Sequence, residues 1–244
     1  MMCIKIYKEK DYAAASQKAC DLFVRKIKEH PTGAFGFATG STPLGMYEEL
    51  VKLAGASKID MTKIKAFNLD EYVPIKANDP QSYANYMSRN LFDAAKLPKE
   101  NRFIPNGETL DPNEECKQYE QHIALSGCIK LQILGIGNNG HIGFNEPSNV
   151  FSRETCFVEL ASETVSANAR FFDKMDMVPR HAITMGIRTI MMAEEILLVV
   201  TGKLKSIILK DALLGPITPK IPASALQLHR NVNVVTDEEA GEFL

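Results

Sequence analysis

The sequence predicts an α/β fold: a mainly parallel β-sheet with helices on both faces. Two observations carry this. Short apolar runs alternate along the chain with longer stretches of helical period, the pattern of βα units. No internal repeat, low-complexity tract or linker breaks the alternation. The 244 residues suit one large domain or two small ones and are ample for a buried core.

The run "CIKIY", 3–7, opens the chain as a strand. After Asp11, residues Ala15, Ala19, Leu22, Phe23 and Ile27 share one helical face. "HPTG", 30–33, stops that helix. "AFGFA", 34–38, reads as a buried strand, and 43–53 as a helix with Pro43 in its first turn, where a missing N–H does no harm. Residues 63–69 form the next strand, and 82–95 and 112–125 two more helices. Strands are expected at 130–137, 156–160, 195–200 and 232–236, with a helix at 203–215. In parallel sheets of this kind ligands bind beyond the carboxyl ends of the strands. The loops that follow strands are therefore the candidate sites.

Composition narrows the function classes. A chain that is 45% hydrophobic and 24% charged, with net charge -2, is ordinary for a globular protein. It gives no electrostatic reason to expect a nucleic-acid or membrane partner. The five cysteines are odd in number and lack C-x-x-C spacing, so free thiols in a reducing compartment are expected, and no zinc site. The opening "MMCIKIYKEK" is too short and too charged for a signal peptide. No apolar run reaches the length of a transmembrane helix. A cytoplasmic location is the expectation.

Three polar loops follow strands. In "FATGSTPLG", 37–45, Gly40 allows close backbone approach, and Ser41, Thr42 and the N–H groups of the next helix can donate to phosphate. The alternative is a strand-to-helix turn with a Ser/Thr cap. In "NLDEYVPI", 68–75, Asp70 and Glu71 stand just beyond an apolar strand. A carboxylate there is a candidate general base, or a turn acid before Pro74. The third, "LGIGNNGHIGFNEP", 134–147, contains Gly135-x-Gly137-x-x-Gly140. A dinucleotide site needs a helix beginning inside that motif, and the following "HIGFNEPSNV" has no helical period. What remains is Asn139, His141, Asn145 and Glu146: either an acid–base cluster, in which a carboxylate orients and supports a histidine, or a buried, hydrogen-bonded histidine.

"FATGSTP", "NLDEY", "LGIGNNGHIGFNEP", "ANARFF" (167–172), "TMGI" (184–187) and "PASALQLH" (222–229) occur in that order. Together they resemble the glucosamine-6-phosphate deaminase family over nearly the whole chain. The resemblance implies one deaminase/isomerase domain, 1–244, with a modified Rossmann-like fold. It implies conversion of glucosamine 6-phosphate and water to fructose 6-phosphate and ammonium, in amino sugar catabolism, with no cofactor and no metal. By resemblance, Asp70 is the enolisation base and His141 the ring-opening base, supported by Asn139 and Glu146. Gly40, Ser41 and Thr42 match the phosphate loop, and Arg170 and Lys205 its cationic ligands.

One position departs from the pattern. Larger, hexameric members carry Asp where this chain has Asn139, and a shorter branch carries Asn. The expectation is that the Asn139 amide oxygen accepts a ring N–H of His141 and fixes its tautomer, while Glu146 supplies charge. Larger members are also activated by N-acetylglucosamine 6-phosphate through basic residues after the "FNEP" loop and an aromatic residue in a C-terminal extension. Here Cys156 and Val158 fall where those basic residues would be, only Arg153 is cationic, and the sequence ends at Leu244. The expectation is a monomer or small homo-oligomer without that activation. Rival readings are a 6-phosphogluconolactonase-like sugar-phosphate hydrolase, which needs no enolisation base, and a noncatalytic sugar-phosphate sensor domain.

Overall fold

Apolar runs with both faces covered pair side by side in this protein. The computed structural model describes residues 4–169, 172 and 177–244. Its main sheet has seven strands: β1 (Ile4–Glu9), β2 (Ala34–Phe37), β3 (Lys65–Asn68), β5 (Arg102–Phe103), β6 (Ile129–Leu134), β9 (Ile196–Val200) and β10 (Val232–Asp237). They lie in the order β1-β10-β9-β6-β2-β3-β5, and every pairing is parallel.

Both faces carry helices. Phe35 and Phe37 of β2 point to one face, since side chains alternate along a strand. Phe23 of α1 (Tyr12–Glu29) packs on both, and Tyr47 of α2 (Leu44–Gly55) on Phe37. Asn68 pairs with Phe37, so Phe67 points the other way. It meets Tyr119 of α4 (Pro112–Leu125) edge-on.

The strand order reverses between β2 and β6. The chain leaves β2 for β3 on one side and leaves β6 for β9 and β10 on the other. A crevice opens at the carboxyl ends of such a strand pair. The loops that begin at Ala38 and Gly135 flank it.

A second sheet was not legible in the sequence. It is antiparallel, in the order β4-β8-β7, with β4 at Asp70–Val73, β7 at Cys156–Glu159 and β8 at His181–Thr184. The 156–160 strand is therefore real but belongs to this sheet. The 82–95 helix is shorter than its period suggests. It is α-helical as α3 (Tyr83–Met87), then widens to a π turn over Ser88–Phe92, where the Asn90 side chain takes the Tyr86 carbonyl (2.7 Å) and Asp93 N–H reaches back to Ser88. The 203–215 helix begins with a 3₁₀ turn, Lys203–Lys205, before α7 (Ser206–Leu214). Among the described residues the remaining α-helices are α5 (Ser162–Asn168) and α6 (Ile187–Met191).

An ionic cluster fastens α1 at the amino-end side of the sheet, away from the crevice. Buried Lys26 lies 2.7 Å from Glu194 and 3.4 Å from Glu195. Arg25 pairs with the same Glu195, Asn233 donates to it, and Lys130 reaches Glu194 at 3.1 Å. Lys26 and then Lys130 pull the Glu194 carboxyl down to about 2. Removing Lys26 leaves Glu194 with Lys130 and Glu195 with Arg25 and Asn233, so the loss lies at the low end for a buried pair, about 3 kcal/mol. Lys26→Met is predicted to destabilise the protein by roughly that amount in urea unfolding near neutral pH. Because the folded carboxyl is depressed, its contribution is complete above the ordinary value of 4.5 and fades as pH falls through about 2. The deficit of the variant is predicted to shrink over that range, and a pH-independent deficit would contradict the assignment.

Candidate active site

The chain passes from one sheet to the other at Leu69. Its N–H donates to Phe37 of β2 (3.0 Å), and its carbonyl accepts from Met185, just after β8 (2.7 Å). Asp70, the next residue, is thereby fixed opposite Thr184. The expected polar loop at 68–75 is thus, from Asp70, a strand. Pairing with residues more than a hundred positions away supplies what local pattern does not. Asp70 is only 5% exposed. Burial, then the charge of Glu71, pushes its carboxyl up to about 8.

The loop after β6 contains no helix, which removes the geometry a dinucleotide would need. Its glycines serve close approach instead. A Cβ on Gly137 would fall 2.3–2.4 Å from the imidazole atoms of His141. The ring occupies that place because Gly137 has no side chain, and the Gly137 N–H also donates to the His141 carbonyl (2.9 Å). Gly143 has φ +57°, and a Cβ there would meet Thr184 Oγ1 at 2.9 Å and Asp70 Oδ2 at 3.3 Å. This glycine seats the His141 loop directly against Asp70.

His141 Nδ1 lies 3.3 Å from Glu146 Oε2, within ion-pair reach but off the line of a good hydrogen bond. Asn139 Nδ2 donates to the same oxygen (2.8 Å), and Thr164 of α5 donates to the other. Burial raises the Glu146 carboxyl, but His141, Thr164 and Asn139 together hold it below its ordinary value. The expected contact between the Asn139 oxygen and the His141 ring is not present. That oxygen accepts the His141 backbone N–H at 3.2 Å. Asn139 therefore orients Glu146 and the loop, and Glu146 faces the ring. Thr164 has no signal in the sequence, being 18 residues from its partner. Asn145 is structural, its amide held by the Ile142 and Met185 carbonyls (2.8 Å each).

Across the crevice, the loop after β2 turns through Gly40, with open space beside its Cα. Pro43 precedes α2 without a side-chain cap, so the Ser/Thr cap alternative does not hold. The Gly45 N–H is not offered to the crevice, since the Tyr12 hydroxyl takes it at 2.8 Å. Gly40, Ser41 and Thr42 remain at the rim. Lys205, ahead of α7, reaches the Ile136 carbonyl at 2.8 Å, which ties it to the His141 loop. Arg170 lies outside the described residues.

Gly137→Ala is predicted to displace the imidazole from Glu146. A crystal structure of that variant with the 3.3 Å contact intact would contradict the packing role of Gly137.

The family described as "Glucosamine-6-phosphate isomerases/6-phosphogluconolactonase" matches residues 8–235. A glucosamine-6-phosphate deaminase of Thermoanaerobacter sp. (strain X514) is 45% identical over 234 residues, 96% of this chain and 92% of that one. One of Shouchella clausii (strain KSM-K16) is 47% identical over 231 residues, 95% and 94% of the two chains. The solved structure of a monomeric glucosamine-6-phosphate deaminase is similar with TM-score 0.95 and 41% identity, covering 98% of this chain and all (100%) of that one. A 6-phosphogluconolactonase from Thermotoga maritima has the same fold at TM-score 0.77, with 21% identity over 96% and 99% of the chains. The chain belongs to the family of glucosamine-6-phosphate isomerases and 6-phosphogluconolactonases.

Proposed function

We propose that this chain is an aldose–ketose isomerising deaminase of amino sugar catabolism, which converts glucosamine 6-phosphate and water to fructose 6-phosphate and ammonium. One observation carries the reading: a buried carboxyl at Asp70, with proton affinity near neutrality, set across Gly143 from the His141–Glu146 pair. Lactone hydrolysis has no carbon acid to deprotonate and gives such a group no task. The relatives named as deaminases, 45–47% identical over nearly the full length, support the same reading.

The phosphate is anchored at Gly40, Ser41 and Thr42, with Lys205 and Arg170 as cationic ligands, so that C1 and C2 stay over the acid–base groups. His141 moves the proton from the O1 hydroxyl toward the ring oxygen, and the pyranose opens to the C1 aldehyde. Glu146 stabilises the imidazolium formed on the way, and Asn139 and Thr164 keep that carboxylate in place. Asp70 removes the proton from C2, now α to the carbonyl, and returns a proton to C1. The resulting ketimine is hydrolysed by water to the ketone and ammonium. A base works best with a pKa near the operating pH, which the burial of Asp70 provides. The single domain spans 1–244 and acts as a monomer or small homo-oligomer, without nucleic-acid partners. The free thiols of Cys20, Cys116, Cys128 and Cys156 suit the cytoplasm. Incubation with glucosamine 6-phosphate tests the reading: ammonium and fructose 6-phosphate appear in equal amounts, and turnover of 6-phosphogluconolactone alone would overturn it.

Asp70→Asn is predicted to retain phosphate binding and to lose C2-proton exchange with deuterated water, with turnover down ~10²–10⁴-fold. The same variant separates catalysis from stability. A carboxyl with a raised folded pKa holds its proton in the fold, so stability declines as pH rises from its unfolded value of 3.8 toward about 8. Asp70→Asn is predicted to melt at a higher temperature than the wild type at about pH 8, the gain vanishing toward about pH 4. Near-normal turnover, or a gain independent of pH, would remove Asp70 from the role.

At the positions that would hold an activating phosphate, this chain has Cys156 and Val158, both in β7. Without charge-assisted partners an effector has no differential hold on two states. Saturation is predicted to be hyperbolic with and without N-acetylglucosamine 6-phosphate. A sigmoidal curve made hyperbolic by that compound would contradict this.

A further inference from the structure

Glu71 has no part in the chemistry above, yet it is 2% exposed and fully engaged. Its Oε1 accepts the backbone N–H groups of Tyr72 (3.0 Å) and Tyr83 (2.9 Å), and its Oε2 that of Ala84 (2.8 Å). Tyr83 and Ala84 open α3, so this carboxylate satisfies N–H groups that the helix itself leaves without partners. The same short helix holds the loop on the other side of the crevice. The Tyr86 hydroxyl donates to the Gly40 carbonyl at 2.5 Å. The Tyr83 hydroxyl meets that of Tyr72 at 3.3 Å. A continuous path of hydrogen bonds thus runs from the strand bearing Asp70, through Glu71 and α3, to the proposed phosphate loop.

We propose that Glu71 is a positioning residue that fastens β4 to α3, and so holds Asp70 at a fixed separation from the Thr39–Thr42 loop. The inference rests on the deaminase reading for its consequence in turnover, but its geometry stands without it. Both Glu71 oxygens accept backbone N–H groups, so its carboxylate is committed to holding β4 and α3 together. Its charge has a further effect. Asp70 is faced by Glu71 and Tyr72 from its own strand, by Tyr83 from α3 and by Tyr119 from α4, while β8 offers the uncharged Thr184 and the His141 loop offers Gly143. Three backbone N–H groups favour the charged form of Glu71. Its negative charge therefore raises the proton affinity of the base.

The test uses the full chain with Glu71→Gln and Tyr86→Phe. In Glu71→Gln, one oxygen still serves Tyr72 and Tyr83, while the new amide N–H₂ faces the Ala84 N–H. The Asp70 carboxyl, followed by carbon-13 NMR and assigned with Asp70→Asn, is expected to titrate on the order of one pH unit lower than in the wild type. Inorganic phosphate, measured by calorimetry, is expected to bind about threefold to tenfold more weakly, the loss of one hydrogen bond. The acid limb of kcat is expected to move to lower pH with the NMR titration, while KM for glucosamine 6-phosphate rises. A residue that only stabilised the fold would lower the melting temperature and leave the titration in place. Tyr86→Phe leaves the Asp70 titration unchanged and weakens phosphate alone. An unmoved Asp70 titration in Glu71→Gln, or wild-type phosphate affinity in either variant, would overturn the proposal. Absence of ammonium release by the wild type would overturn the deaminase reading instead, since the titration and the phosphate measurement need no turnover.

Discussion

The two hydrogen bonds of Leu69 are the constraint on which the site depends. One ties the chain to β2 of the main sheet, the other to the end of β8 in the small sheet. A chain held on both sides at one residue has no freedom at the next. Asp70 is consequently buried, aimed and set against Gly143. Loops placed by rigid elements are where function usually sits; here the proposed base is on the rigid element itself, and the His141 loop is brought to it.

That arrangement is bought with unfavourable electrostatics. Two adjacent carboxyls, Asp70 and Glu71, are removed from water, and burial raises both. For Glu71 three backbone N–H groups offset part of the penalty. On the other side of the site the balance is reversed: Glu146 is half-buried, and a histidine, a threonine and an amide hold its carboxyl below the ordinary value. One carboxyl kept ready to take a proton and another kept charged, a few residues from a histidine, is the separation of roles that acid–base catalysis needs. The stabilising ionic cluster around Lys26 and Glu194 lies apart from it, so the amino-end side of the sheet can be firm while the carboxyl-end side carries strain.

Much of this was legible because it is local. Alternating strands and helices marked the parallel sheet, and the apolar run ending at Leu69 marked Asp70 as the residue that follows it. No helix follows Gly140, as the absent helical period indicated, and of the polar residues of that loop Glu146 faces the His141 ring. What was not legible depends on partners distant in sequence. The short antiparallel sheet has strands of four residues, β4 joins β8 across more than a hundred positions, and no periodicity announces it. Thr164 contacts Glu146 from a separate helix. Asn139 was expected to contact the imidazole, but adjacency in sequence does not say which end of an amide meets the backbone and which the carboxylate.

The central claim is that one buried carboxyl carries a proton from C2 to C1 of the sugar. Glucosamine 6-phosphate deuterated at C2, turned over in ordinary water and read by NMR of the fructose 6-phosphate formed, tests it most directly. The account predicts that part of the deuterium reappears at C1, on a single prochiral position, with the remainder lost to solvent from the Asp70 carboxyl. Deuterium found at C1 without stereochemical preference, or carried there quantitatively with none lost to solvent, as in a direct hydride shift, would contradict it.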